Sequence, residues 1–404
     1  MVEIKPFKGY IYNIDKIKKI SNVISPPWDL INEELEEKLL SLSQFNIVKL
    51  ICKENNPEDA YKTLKKWIRN KILIQDKEEY FYFLKSNFEY EGEIYERKGI
   101  FAILKIEDFE KQNIIPHEKI FQKYSHNRYK LLEKCRANFC PVFMLYQDKN
   151  FEIERIIEKG NIYSEFSINN ENLEFGKIEN FDDIEIIKEF FKDKKIFIAD
   201  GHHRYNASLM FYKNNPDPKN AYILIYLTNI ESKGILILPT HRYIPADVEI
   251  NFKQKDIKII EKPNFESMKE QMEKSERKIG MFYNQKFYIL NLNEYIKKID
   301  ADINYKKIDT FIVDNYLLKD FVKIKENVEF FYHTSKDYLL KEYKKKKKGV
   351  IFFLNPVRKD LFIEICLKGK IMPHKSTFFF PKVPSGLVIY LFHTLATSFL
   401  STHF

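Results

Sequence analysis

The residues with most chemistry in them are Asp200-Gly201-His202-His203-Arg204, directly after the apolar run Ile196-Phe197-Ile198-Ala199. The apolar run predicts a short buried strand. Asp200-Gly201 turns the chain, and the residues after it, with Leu209, Met210 and Tyr212, predict a helix. Two imidazoles and a guanidinium then sit at a strand-to-helix corner. The first backbone N–H groups of a helix have no intrahelical partner, and the dipole is positive there. Chemically this is an anion site, and phosphate is its natural guest. Asp200 beside it is placed to hold a magnesium ion or to accept a proton from a hydroxyl. Adjacent histidines also occur as surface decoration or as a transition-metal pair; the strand before them and the arginine after them favour the anion.

Four other stretches carry polar groups of interest. Pro116-His117-Glu118 offers a general base in Glu118, with His117 contacting phosphate or orienting the carboxylate; the plain alternative is a helix-start acid beside an exposed histidine. The apolar run 235–238 ends in Pro239-Thr240-His241-Arg242, again delivering His and Arg to a strand end, although Arg242 equally suits a surface ion pair. Met372-Pro373-His374-Lys375-Ser376-Thr377 presents one cation and two hydroxyls, flanked by aromatic residues. Pro26-Pro27 fixes an extended backbone before Trp28 and Asp29, so Trp28 either packs in the core or walls a pocket. No GxxxxGK[ST] loop is present, which excludes a Walker-type phosphate site. Cys140 has no activating partner in the sequence and is expected as a small buried residue.

These residues need elements to position them. Helices are expected at 32–42, with an acidic first turn, at 57–72, at 127–137 with a basic solvated face, at 182–191 and at 309–321. Strands are expected at 46–51, 99–106, 138–146 and 349–354. Segments 80–84 and 88–90 suggest paired strands with Gly92 in a turn. Segments 222–227 and 235–238 suggest a pair joined through 229–234. Residues 150–191 look charged and mostly irregular. The five lysines 344–348 suit a solvated loop or a frayed helix end. The fold class expected is α+β, with mixed sheets and flanking helices. Its domains are an N-terminal α/β domain at 1–98, a phosphate-binding core at 99–245, a C-terminal α/β domain at 246–392 and a tail at 393–404.

At 404 residues the chain has material for two or three domains. A formal net charge of +9, with 67 Lys and Arg against 58 Asp and Glu, is too modest for a dedicated nucleic-acid binder. Four cysteines fit neither a zinc module nor a disulfide framework. The start lacks a signal-peptide pattern and no apolar run has the length of a membrane span. A cytoplasmic protein with small-molecule partners, and neither nucleic acid nor membrane, is expected; the sequence predicts no oligomeric state.

Taken together, the motifs resemble the family long called "domain of unknown function 1015". The resemblance runs over about residues 4–390. It rests on Pro6-Phe7-Lys8-Gly9, Pro26-Pro27-Trp28-Asp29, Pro116-His117-Glu118, Ala137-Asn138 with Pro141, Ala199 to Tyr205, Leu238 to Arg242 and Met372 to Thr377. The order of elements from 99 to Arg204 is also similar to the ParB/sulfiredoxin-type fold. The resemblance implies a kinase converting free L-serine to O-phospho-L-serine, with pyrophosphate, or ADP or ATP, as donor and Mg2+ as cofactor, feeding cysteine synthesis. In that reading Glu118 and Asp200 are catalytic, with Glu118 the base and Asp200 the metal contact. His202, His203, Arg204, His241, Arg242, Lys375, Ser376 and Thr377 bind phosphate, and Trp28, Asp29, His117 and Asn138 line the substrate pocket. Trp28, Phe378 and Phe380 stand where the family often has Tyr, Asn206 where Glu is common and Cys140 where Ser is frequent. The alternatives are a non-catalytic phosphometabolite sensor and a ParB-like nucleic-acid binder.

Overall fold

The computed structural model describes residues 1–52, 56–119, 122–274, 277–326 and 328–392. The chain divides into two compact units. One comprises the described residues of 1–116, 120–235 and 381–392; the other comprises those of 117–119 and 236–380. The fold is α+β, with mixed sheets flanked by helices.

The first unit is built on a nine-stranded sheet. Its order is Ile114–Ile115, Ile196–Asp200, Val142–Tyr146, Tyr222–Asn229, Glu93–Lys105, Phe81–Tyr90, Glu171–Ile178 and Asn161–Ile168, with Ile4–Lys5 also paired to Glu93–Lys105. Two neighbour pairs are parallel, Ile196–Asp200 with Ile114–Ile115 and Tyr222–Asn229 with Val142–Tyr146; the rest are antiparallel. The middle of the sheet is covered on both faces, so its strands are apolar at consecutive positions rather than alternate ones. Ile100, Ala102 and Leu104 join the main core, while Phe101 meets Tyr226 and Phe175 on the other face. The boundary expected at residues 98 and 99 falls inside the Glu93–Lys105 strand.

Helix Pro57–Arg69 shows how the flanking elements are specified. Proline occupies its first turn with Glu58 and Asp59, and Ala60, Leu64 and Trp67, at spacings of four and three, are its buried face. Helices Gln122–Cys135 and His202–Asn214 pack on each other.

The second unit contains a six-stranded antiparallel sheet in the order Lys258–Lys262, Lys286–Asn291, Lys278–Tyr283, Val350–Phe353, His241–Ile244 and Phe331–His333. It buries both faces, with Val350 and Phe352 in one core and Ile351 and Phe353 in the other. Residues 309–320 are helical as expected, but with a π-turn at Val313–Leu317 in the middle. The lysine run is a helix end: Lys336–Lys346 is helical and Lys347 adopts φ 56° in the left-handed region.

Four local expectations are corrected. Residues 46–51 are not a strand. Val48–Ile51 is one helical turn, because Asn46 Oδ1 accepts the Val48 N–H while its amide donates to the carbonyls of Asn22 and Ile24. Segment 80–90 is one strand, Phe81–Tyr90, and the turn at Gly92 joins it to Glu93–Lys105. Residues 150–191 are ordered: helix Glu152–Ile157 precedes the hairpin of Asn161–Ile168 and Glu171–Ile178, turned by Asn169 and Asn170 at φ 49° and 63°. Segments 222–227 and 235–238 do not pair. Tyr222–Asn229 lies within the nine-stranded sheet, and Leu236–Leu238 pairs instead with Phe378–Phe380. No helix among the described residues is long and apolar enough to cross a membrane.

Candidate anion-binding site

In the first unit, strand Ile196–Asp200 ends where helix His202–Asn214 begins. Gly201 makes the corner at φ +95°. Its conformation disfavours any side chain, and so does its space: a Cβ there would stand 2.8 Å from Arg204 Nε. The missing Cβ lets the Arg204 guanidinium fold back over the turn. That guanidinium donates to Asp200 Oδ2 from Nη2 and to the Pro141 carbonyl from Nη1.

The other oxygen of Asp200 accepts from Lys382 Nζ at 2.5 Å. Lys382 is held by its neighbour: the Pro381 carbonyl accepts from Nη1 of the fully buried Arg97. Burial by itself would raise the Asp200 carboxyl, but Lys382 and Arg204, with a contribution from His202, hold it far below the usual carboxylate range. Asp200 is therefore an anion at neutral pH. Two cations against one carboxylate leave one net positive charge, at a helix N-terminus whose first turn has no acidic residue.

Around this corner, His202 is buried and His203 is half-buried, with Nδ1 3.5 Å from the Ser125 hydroxyl. Asn206 donates to the same hydroxyl at 3.1 Å. Arg204, Arg128, Asn138 and Cys140 line a small cavity of about 50 Å³. The Arg128 guanidinium lies 4.5 Å over the Trp28 ring, so Trp28 is neither core packing nor a bare wall but a platform for a cation. Asn138 spends its side-chain oxygen on the Leu224 N–H at 2.9 Å. Asp29 is exposed at the surface. Cys140, expected to be buried, is partly exposed at the cavity.

The remaining expected site residues belong to the second unit, where a buried arginine organises them. Arg242 forms a bidentate pair with Asp314 at 3.0 and 3.2 Å, and donates to the carbonyls of Thr240, His374 and Lys375. Its exposure is 0%, so it is neither the phosphate ligand nor the surface ion-pair partner expected, but the post on which the 374–375 loop is hung. Lys375 sits at φ 54° with its side chain exposed. Ser376 is also structural, donating to the Pro373 carbonyl and meeting the Thr310 hydroxyl at 2.8 Å. His241 is buried, and its Nδ1 accepts the Leu354 N–H at 3.1 Å. Burial, then the charge of Arg242, lowers its pKa to about 3, so the ring is neutral and brings no positive charge to an anion. His117 is fully buried rather than exposed, 2.8 Å from the Thr377 hydroxyl through Nε2 and edge-on to Phe362 and Phe379. Glu118 is 25% exposed, with Oε1 3.8 Å from His117 Nε2.

The residues present do not make a resident magnesium site. Both oxygens of Asp200 already accept from cations, and no group of three or more His, Cys, Asp or Glu residues suited to a metal occurs among the described residues. Lys382, Arg128 and Ser125 were not anticipated as site residues. Lys382 is 182 positions from its partner in sequence.

Comparison with known proteins places the chain. No curated protein matches it. Solved structures that align with it include a free serine kinase in complex with AMP, at 14% identity and TM-score 0.34 over 70% of this chain and 86% of that one. Others are a conserved hypothetical protein from Pyrococcus furiosus, at 13% and 0.34 over 72% and 95%, and C-terminally truncated SbnI from Staphylococcus aureus, at 10% and 0.36 over 72% and 87%. Likenesses this distant carry no inference about activity. The family described as "Protein of unknown function (DUF1015)" matches residues 4–311, well over half of the chain, and the chain belongs to that family.

Proposed function

We propose that the chain is a phosphotransferase that moves a phosphoryl group from pyrophosphate, or from ADP or ATP, to the hydroxyl of free L-serine. The observation that carries the reading is the Asp200 carboxylate aligning Arg204 and Lys382 at the first turn of a helix that begins with His202 and His203. Phosphoryl transfer asks chiefly for preorganised positive charge around the phosphate oxygens, and this corner has it before any ligand arrives. Asp200 acts here as a positioning residue for two cations. The donor's phosphate oxygens are held by the His202–Arg204 turn and by Lys382. The serine oxygen forms the new P–O bond as the bond from phosphorus to the donor's bridging oxygen breaks. The hydroxyl proton needs a general base, and the sequence motif Pro116-His117-Glu118 assigns that role to Glu118. The leaving phosphate or nucleotide departs with the electron pair of the broken bond. Magnesium enters this scheme only as the counter-ion of the donor, and no step is assigned to it. Serine as acceptor and pyrophosphate as donor rest on the family resemblance alone.

Phosphorus NMR tests the reading. Purified protein with magnesium and L-serine is offered pyrophosphate, ADP or ATP in separate tubes. An O-phosphoserine resonance with one donor supports it, and Glu118→Gln then slows turnover by roughly 10²–10⁴. Donor binding with no product in any tube would favour the second reading, a phosphometabolite sensor on the same corner. The nucleic-acid reading is disfavoured because lysines such as Lys274, Lys336, Lys345 and Lys348 are spent on neighbouring glutamates.

A further inference from the structure

The second unit contains a cavity of about 340 Å³, within the range of small-molecule sites. At its edge is Asp309, at the start of helix Asp309–Ile312. Asp309 Oδ2 accepts two hydrogen bonds from Asn355, one from the main-chain N–H and one from the side-chain amide, each 2.8 Å. These fix the carboxylate plane. No hydrogen bond reaches Oδ1 among the described residues, and this oxygen is not sealed in the interior. Both bonds to Oδ2 come from neutral donors, so the charge of Asp309 has no ion-pair partner.

The same cavity is lined by Arg277, Lys306 and Lys307. None of the three forms an ion pair with a carboxylate among the described residues. The other acids at the rim are occupied: Asp360 with Arg358, Glu364 with Lys368 and the Asn304 amide, and Glu273 with Lys269 at 3.6 Å. The cavity thus presents one oriented, half-satisfied carboxylate and three cations that make no direct ion pair among the described residues, Lys307 feeling only the more distant charge of Glu364. A bare anion would satisfy the cations and leave Asp309 facing a second negative charge. A bare cation would do the reverse.

We propose that this cavity binds a small zwitterion, whose ammonium group donates to Asp309 Oδ1 and whose carboxylate or phosphate lies against Arg277, Lys306 and Lys307. Met272 and Leu361 supply the apolar wall for a short carbon stem between the two charges. This site shares no residue with the Asp200 corner, and it stands whether or not the chain is a kinase.

Met272 makes the test local, because the chain has only seven methionines. The full chain is labelled at its methionine methyl groups and followed by NMR, with Met272→Leu assigning the resonance. The probes are O-phosphoethanolamine and β-alanine, which pair an ammonium with a phosphate or a carboxylate, against inorganic phosphate and ethylammonium. The Met272 signal should shift saturably with at least one zwitterion, at least tenfold more tightly than with phosphate or ethylammonium. The better zwitterion tells which anion the three cations prefer. Asp309→Asn keeps size and the bonds from Asn355, and should erase the advantage over phosphate. A Lys306→Ala, Lys307→Ala double variant, altered only at the rim, should weaken zwitterion and phosphate alike by about tenfold. The proposal is overturned if neither zwitterion moves Met272, if phosphate alone binds as tightly, or if Asp309→Asn leaves the zwitterion preference intact.

Discussion

Lys382→Met keeps most of the side-chain stem and removes one charge from the corner. With Lys382 present, the Asp200–Arg204–Lys382 cluster carries one net positive charge; without it the cluster is neutral. A unit charge about 5 Å from a phosphate oxygen, at an effective dielectric of about 20, is worth about 3 kcal/mol. Salt trims this only partly, because the Lys382 side chain is 12% exposed. Asp200 Oδ1 would also turn from a paired oxygen into a bare one beside the ligand, which adds to the loss. A loss of about 2–3 kcal/mol weakens donor binding roughly 30- to 150-fold. The assay is calorimetric titration of pyrophosphate at physiological ionic strength, with folding checked by circular dichroism. Lys382→Arg, which restores the charge, should recover most of the affinity. If Lys382→Met folds and binds pyrophosphate within threefold of wild type, the corner is not the phosphate site.

Three further outcomes are expected. Gly201→Ala forces a Cβ against the Arg204 guanidinium at φ +95°, so it should cost about 1–3 kcal/mol in thermal melts and weaken donor binding; unchanged melting and binding would mean that Arg204 does not need that turn. Arg242→Met leaves the buried side of Asp314 and three carbonyls without their donor, and should cost about 3–5 kcal/mol in chemical denaturation; a cost below about 1 kcal/mol would contradict its role as the post of the 374–375 loop. His241 gives a pH signature: its folded pKa is lowered to about 3, whereas an unfolded histidine titrates near 6.5. Between those values only the unfolded chain takes the proton, so the contribution is complete above about pH 6.5 and is lost as pH falls towards 3, by at most about 1.4 kcal/mol per pH unit. Melts at neutral and mildly acidic pH should therefore show a steeper loss for wild type than for His241→Gln, and parallel curves would contradict the neutral, buried ring.

The Asp200 corner was legible because everything that makes it is contiguous: four apolar residues for the strand, Asp-Gly for the turn, and His-His-Arg on the first turn of the helix. Lys382 was not, since its pairing with Asp200 spans 182 positions and nothing local to Pro381-Lys382 signals it. Arg242, His241 and Ser376 show the opposite failure. Their types suit an anion, but they face inward, and a residue at a strand end or in a loop does not declare in sequence which way it points. Arg242 is fully buried against Asp314, and His241 uses its ring nitrogen on a main-chain N–H. The α+β class was expected from apolar runs for the strands, amphipathic stretches for the helices and the resemblance of the 99–204 region to the ParB/sulfiredoxin-type fold. The Asn161–Ile168 hairpin partner was hidden because it is an edge strand with few buried residues, although Asn169-Asn170 was a readable turn signal.

The most direct test of the central claim is a crystal structure of the protein grown with pyrophosphate. The account predicts phosphate density at the corner, within hydrogen-bonding distance of the main-chain N–H groups that open helix His202–Asn214 and of Lys382 Nζ, with Asp200 still paired to Arg204. Phosphate seated only elsewhere, with the His202–Arg204 turn and Lys382 unoccupied by the ligand, would contradict it.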